Sequence, residues 1–213
     1  MYNLFHLVMK IKTVKPEKAV GIENSLINAA RSGMLKNRLS EAELVSTVVT
    51  LFVAGHETTT HLLGNGFFAL LNTEGAFNKA KFHPELIPSL VDEMARFDGS
   101  VPRSWRIAKR DVEIRGVKIP EGALVLPILA AANRDPDIFE NPDTFDIERD
   151  SRKHIAFGKG VHVCLGAPLA RIEGQAVLKY LFQARPNISL LPIKHEWRRD
   201  VALRGLISLP VLL

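Results

Sequence analysis

The chain reads as a mainly α protein with a small β component, and three observations carry that reading. A capping box at Ser40 opens an apolar helical pattern that runs to about Leu71. A second helix covers about Glu85–Phe97, and a third follows Cys164. Strand-like runs are short and fall only in the second half of the chain, separated by tight turn signals.

The first helical segment spans residues 17–35 and ends near Gly33. In Ser40-Glu41-Ala42-Glu43, Ser40 is the N-cap and Glu43 reaches back to it. The helix that follows is about 45 Å long at the usual rise per residue. Its first half is apolar on nearly every face and is expected to be buried. After the Glu85–Phe97 helix, Trp105–Ala108, Val112–Ile114, Val117–Ile119 and Ala123–Leu129 read as strands, with turns at Arg115-Gly116 and Pro120-Glu121-Gly122. Residues 133–150, rich in Asn, Asp and Pro, read as an irregular meander. Leu165, Leu169, Ile172, Ala176 and Tyr180 recur at helical spacing and predict one apolar stripe on a helix starting near Leu165. Pro168 is tolerable in its first turn. Ile188–Leu191 and Leu206–Leu213 close the chain as strands.

At 213 residues the chain suffices for a single domain with a sizeable core. A lone cysteine, Cys164, forms no intramolecular disulfide, which suits a reducing compartment and a cytoplasmic location. Met1–Met9 lacks the charged leader and cleavage site of a signal peptide. The longest apolar run, Leu44–Ala54, is too short to cross a bilayer. The net charge is +5, yet no basic stripe alternates with aromatics, which disfavours nucleic acid. Arg149, Arg152, Lys153 and Lys159 flank the cysteine segment and suggest a docking face for an acidic protein.

Function is most legible around Cys164, in Phe157-Gly158-Lys159-Gly160-Val161-His162-Val163-Cys164-Leu165-Gly166. Gly158, Gly160 and Gly166 open backbone angles denied to other residues and let the chain approach a flat ligand. A helix N-terminus just downstream favours thiolate over thiol. Midway along the long helix, Ala54-Gly55-His56-Glu57-Thr58-Thr59 puts a carboxylate and hydroxyls into an apolar segment, where each needs a partner. Glu93 and Arg96 stand three apart on one helical face.

Two motifs mislead. His56 and His61, around Glu57, resemble a zinc-hydrolase motif, but five-residue spacing turns them about 140° apart, whereas that motif requires one face. Gly64-Asn65-Gly66-Phe67-Phe68-Ala69 mimics a dinucleotide fingerprint but lies within a helix with no preceding strand.

The pattern Phe157-Gly158-x-Gly160-x-His162-x-Cys164-x-Gly166, continued by Ala167-Pro168-Leu169-Ala170-Arg171, resembles the haem-binding loop of the cytochrome P-450 family, the haem-thiolate monooxygenases, in its bacterial soluble form. The resemblance implies haem b as cofactor with Cys164 as axial iron ligand. It places Phe157, Gly158 and Gly166 in the cofactor loop and assigns Arg106 and His162 to the haem propionates. Glu57 and Thr58 become an acid–alcohol pair for proton delivery, and Glu93 with Arg96 a buried structural pair. The family's third member of that pair is an Arg or His where this chain has Thr144, so the pair is expected to lack one partner, with Arg149 as a candidate substitute.

The resemblance implies that residues 1–213 form the C-terminal half of one such domain: the long central helix, the proximal cysteine loop with its helix, and short β hairpins. The implied reaction inserts one oxygen atom of dioxygen into a small apolar substrate. Without a flavin, nicotinamide or iron–sulfur motif of its own, the chain would draw electrons from a ferredoxin-type donor with its reductase. The alternative is a truncated, non-catalytic remnant that binds haem weakly or not at all. If the other half of the fold is absent, the long helix would expose apolar surface.

Overall fold

The computed structural model describes Tyr2–Asn3 and residues 40–213; the helix expected over 17–35 lies outside the described residues. The Ser40 hydroxyl accepts from the Glu43 amide, and the Glu43 carboxylate accepts from the Ser40 amide at 2.7 Å, so the capping box forms as expected. Helix α1 then runs unbroken over Glu41–Asn72. Its hydroxyls do not break it, because they bond back one turn: Thr47 to Glu43 O, Thr50 to Ser46 O, Thr58 to Ala54 O and Thr60 to His56 O.

The two halves of α1 lie in different surroundings. From Thr59 onward it is buried, with Leu63, Phe67 and Leu70 in the core. Before that, Val45, Val48, Val49, Leu51, Phe52 and Val53 are exposed. The expectation of a buried first half is therefore wrong for this structure: among the described residues nothing packs over it. Apolar composition states what a face would bury, not whether a partner is present.

Helix α2 (Ala76–Phe82) and a 3-10 turn (Pro84–Leu86) lead into helix α3 (Ile87–Asp98). The sequence merged that turn with the helix. Strand β1 is Tyr2–Asn3, and four short strands follow α3: β2 (Arg106–Ile107), β3 (Val112–Ile114), β4 (Val117–Ile119) and β5 (Leu124–Val125). β3 and β4 form a hairpin whose turn residues Arg115 and Gly116 have φ of 50° and 81°, both left-handed, as a two-residue turn requires. β2 pairs antiparallel with β5. The strand expected to reach Leu129 stops at Val125, and Leu129–Ala132 forms a short helix, α4. Residues 133–150 contain neither helix nor strand, as the meander reading requires. Helix α5 covers Ala167–Ala184, two residues later than expected, with a proline in its first turn. Strands β6 (Ser189–Leu190) and β7 (Pro210–Leu212) pair antiparallel, with β1 on the other side of β7.

The core is the crossing of α1, α3 and α5, closed by α2 and β7. Missing side chains set the closest approaches. A Cβ on Gly66 would lie 2.1 Å from Met94 Cε, and one on Gly174 would lie 3.0 Å from Val91 Cγ1. Close packing on α3 selects the buried face of α5: Ala167, Ala170, Gly174, Val177, Leu178 and Leu181. The expected stripe through Leu165, Leu169, Ile172, Ala176 and Tyr180 lies on the exposed side. Periodicity found a genuine helix, but small residues, which carry little hydropathy, decided which face is inward.

Candidate functional site

Cys164 lies between a 3-10 turn (Gly160–His162) and α5, and its thiol is exposed. The loop is a folded unit. The Cys164 amide donates to Phe157 O at 2.8 Å, and the Ala167 amide donates to Cys164 O at 3.3 Å. Gly158 and Gly160 have φ of 73° and 79°, which a side chain would strain. Gly166 has φ −83°, open to any residue, so the special backbone expected there is not needed. A Cβ at Gly166 would lie 3.9 Å from Cys164 Sγ, in ordinary contact.

The thiol's neighbours along the chain are apolar and exposed: Val161 is 96% exposed, Leu165 84% and Leu169 58%. The Phe157 ring is clamped beneath, 5.5 Å from the His154 ring and 4.8 Å from the Arg171 guanidinium. Arg171 Nε donates to Asp92 Oδ1 at 2.7 Å, and His154 Nε2 lies 3.4 Å from the same oxygen. Burial pushes the Asp92 carboxyl up, but hydrogen bonds from His154 and Arg171 together outweigh it and hold the group below its usual range. Asp92, His154 and Arg171 therefore tie α3 and α5 to the loop. Sequence reasoning missed all three in this role, since they are scattered along the chain and each alone is an ordinary polar residue.

The Glu93–Arg96 pair is fully buried and bidentate, at 2.7 and 2.8 Å. Arg96 uses all five of its donors: two go to Glu93 and the others to the carbonyls of Asn133, Pro142 and Thr144. Glu93 also accepts from the Asp146 amide at 2.9 Å and the Ser151 hydroxyl at 2.5 Å. The expected shortfall at Thr144 is absent, because Thr144 contributes its backbone carbonyl and Ser151 fills the carboxylate. Arg149 does approach, with Nε 3.5 Å from Glu93 Oε1, while its amino groups bond the carbonyls of Glu140, Asn141 and Thr144. Asn133 passes the lock on: its side-chain oxygen accepts from the Ile155 amide at 2.8 Å, two residues before Phe157. The pair thus pins the meander and the entrance to the cysteine loop together.

On α1, the Thr58 hydroxyl donates to Ala54 O at 2.5 Å, which leaves its oxygen as an acceptor. Glu57 is held from the other end of the chain: Arg198 Nη1 donates to Glu57 Oε1 at 2.8 Å. His56 stacks in parallel on Phe52, whereas His61 is buried beside Arg198, so the two histidines do not share a site. Asn65, inside the rejected dinucleotide motif, is a buried tie that donates to the carbonyls of Asp98 and Arg204.

Arg106 is exposed on β2 and donates to Ser104 Oγ and Trp105 O, and His162 is exposed in the 3-10 turn. Among the described residues no hydrogen bond joins either to Cys164 or Glu57, and both lie at the surface. The basic face is thinner than expected. Arg149 is turned into the meander, and Arg152 makes two 2.7 Å bonds to Asp150, whose carboxyl it draws down to about 2. Lys153 and Lys159 remain exposed.

The Cytochrome P-450 family profile matches residues 83–185. A profile described as a double-stranded DNA-binding domain matches residues 7–57. The described part of that span, 40–57, is the start of α1 and contains glutamates but no lysine or arginine, so it offers phosphate no counter-charge. The chain is 40% identical over 189 residues to the biotin biosynthesis cytochrome P-450 of Bacillus subtilis, covering 89% of this chain and 48% of that one. It is 39% identical over 211 residues to cytochrome P-450 107B1 of Saccharopolyspora erythraea, covering 98% and 51%. The solved structure of the cytochrome P-450 PksS of Bacillus subtilis superposes with a TM-score of 0.77 at 45% identity, covering 81% of this chain and 45% of that one. The chain spans about half the length of the curated relatives it matches.

Proposed function

Because the chain belongs to the cytochrome P-450 family, of which it carries the C-terminal half, we propose that it provides the iron-ligating and proton-delivering part of a haem-thiolate monooxygenase. The observation that carries this reading is the exposed Cys164 thiol, set in a glycine loop that the buried Glu93–Arg96 pair pins from behind.

The donor set fits haem b. A single thiol suits iron, and the exposed apolar side chains of Val161, Leu165 and Leu169 suit a flat apolar ring. Arg106 and His162, both exposed donors, suit its carboxylates. Gly158 and Gly160, in left-handed backbone, hold the loop in the shape that presents the sulfur. Bound haem would supply the redox chemistry in which one atom of dioxygen enters the substrate and the other leaves as water.

The chain's own residues do the rest. Cys164 supplies the thiolate. The backbone bond from Cys164 to Phe157, with the ring of Phe157 clamped by Arg171 and His154, fixes the direction of the sulfur. Thr58, its proton engaged on Ala54 O, accepts a proton from the Glu57 side and passes its own on. The substrate is a small apolar molecule. Electrons come from a ferredoxin-type donor with its reductase, docking near Lys153 and Lys159, and the setting is cytoplasmic. Among the described residues no helix is long and apolar enough to cross a membrane. Residues 1–213 act as one portion of a single domain.

The test is the ferrous–CO spectrum of the purified chain loaded with haem. Thiolate ligation gives a strongly red-shifted Soret band, and Cys164→Ala abolishes it. A wild-type chain that retains haem without that band, or retains none, refutes the reading.

A further inference from the structure

One turn beyond Glu57 on α1 lies His61, only 3% exposed. Its ring is covered by the segment bridged at Trp197 and Leu206, where Gly205 lies so close that a Cβ there would be 2.1 Å from His61 Nδ1. From the same segment, Arg198 Nη1 donates to Glu57 Oε1 at 2.8 Å and also meets His61 Nε2 at 3.1 Å. A guanidinium only donates, so Nε2 must accept. His61 is therefore neutral, with its proton on Nδ1.

Glu57 also approaches the ring directly. Its Oε1 lies 3.5 Å from His61 Nε2, an acceptor facing an acceptor. The arrangement holds because Arg198 donates to both. The Arg198 side chain is 45% exposed and that of His61 is 3% exposed, so Arg198 is the member with room to leave. Once it leaves, a proton on Nε2 is what reconciles the two acceptors.

We propose that His61 is a positioning residue for Glu57 that exchanges with Arg198 as its counter-ion, taking a proton on Nε2 when Arg198 withdraws and holding it against the carboxylate. This rests on the reading of Glu57 as the proton-delivering acid. Glu57 faces one cation in either state, so the carboxylate and its counter-ion stay neutral together, while the three groups as a whole take up one proton and one positive charge. The proton is taken up from the solvent that enters where Arg198 stood, as hydronium or a buffer acid. It stays on His61 Nε2, donated as a hydrogen bond to Glu57 Oε1, and transfer toward Thr58 remains the task of Glu57.

The charged groups around His61 are consistent with this. Burial first, then the Arg198 cation, hold the imidazole below its usual range, while Glu57 and Asp200 act in the opposite direction. Asp200, exposed two residues from Arg198, is the carboxylate toward which a withdrawn Arg198 can turn. The other charged pair on this segment, Arg204 with Asp98, is an anchor: Arg204 stacks on Trp197 at 3.9 Å, and its carbonyl accepts from Asn65.

The experiment is a histidine titration of the full chain by nitrogen-15 NMR, without haem, with His61 assigned by loss of its signal in His61→Asn. In the wild type, Nε2 should show the acceptor signature and His61 should titrate below the exposed histidines. Arg198→Met should raise its midpoint by about 1 unit, the low end of what a neighbouring charge does. Arg198→Lys, which keeps the cation, should leave the midpoint low, and Glu57→Gln should lower it further. Arg198 is half exposed, so these variants keep the fold, which the other histidine signals verify. A proton on Nε2 in the wild type, or a midpoint indifferent to Arg198→Met, overturns the proposal. If the monooxygenase reading fails, the CO band is absent while this titration stands. If this inference fails, the band is present while His61 ignores Arg198.

Discussion

Replacing Arg96 with methionine should unfold most of the chain's margin of stability. The substitution keeps the volume of the stem and removes five hydrogen bonds. Glu93 would keep the Asp146 amide, the Ser151 hydroxyl and a 3.5 Å approach of Arg149, but lose its bidentate cation. Breaking a buried pair from one side costs about 3–5 kcal/mol, because a charge is left behind. The carbonyls of Asn133, Pro142 and Thr144 would lose a donor as well, at about 1–3 kcal/mol for each that water does not reach. A loss of at least about 5 kcal/mol follows, against a typical total of about 5–15 kcal/mol. Urea denaturation followed by far-ultraviolet circular dichroism measures it. The double variant Glu93→Leu with Arg96→Met should be less destabilised than Arg96→Met alone, since the stranded charge goes too. A single-variant loss below about 1 kcal/mol, in the range of an exposed pair, would refute the idea that this pair locks the meander to the cysteine loop.

The loop clamp, the buried His61 and the helix packing each give a further outcome. Asp92 has a depressed folded pKa, so the stability it contributes is present above its unfolded pKa and is lost as pH falls through the folded value. Asp92→Asn should therefore be destabilised relative to wild type at neutral pH, and urea midpoints of the two should converge in acid; a constant gap down to low pH would contradict the clamp. His61 shifts stability in the same direction, in a higher pH window. Its folded pKa is lowered, so the unfolded chain takes up the proton first and stability falls as pH drops below the unfolded value, a slope that His61→Asn should remove. At the helix crossing, Gly66→Ala should cost about 1–3 kcal/mol by overpacking against Met94, more than the helix propensity gained, and Met94→Ala in the same chain should restore part of it; thermal melts of the pair decide the point.

Local patterns were legible. The capping box, the Arg115-Gly116 turn, the long helix and the left-handed Gly158 and Gly160 of the cysteine loop each depend on residues close in sequence, and each formed as read. Faces were less legible. On α5 the sequence stripe is exposed and the small residues are inside, because Val91 on α3 requires close approach at Gly174. On α1 the apolar first half is exposed because burial depends on a neighbour that the segment does not encode. Of the candidate site, Cys164, Glu57, Thr58, Glu93 and Arg96 were visible as motifs. The clamp of Asp92, His154 and Arg171, the fill-in by Ser151, and the seat of Glu57 on Arg198 and His61 were not, since their members lie up to 141 positions apart.

By itself the sequence determined which groups the protein carries: one thiol in a loop bent by Gly158 and Gly160, one acid followed by a hydroxyl in a long helix, and an acid–base pair one turn apart. Those are consequences of backbone stereochemistry and helical period, which act over a few residues. The tertiary structure alone decided the company those groups keep. It satisfied Glu93 without the expected third side chain, drew Arg149 and Arg152 away from the basic face, and set Arg198 between Glu57 and His61. Hydrogen bonding and charge pairing depend on distance in space, and only the folded packing of α1, α3, α5 and the C-terminal segment sets those distances.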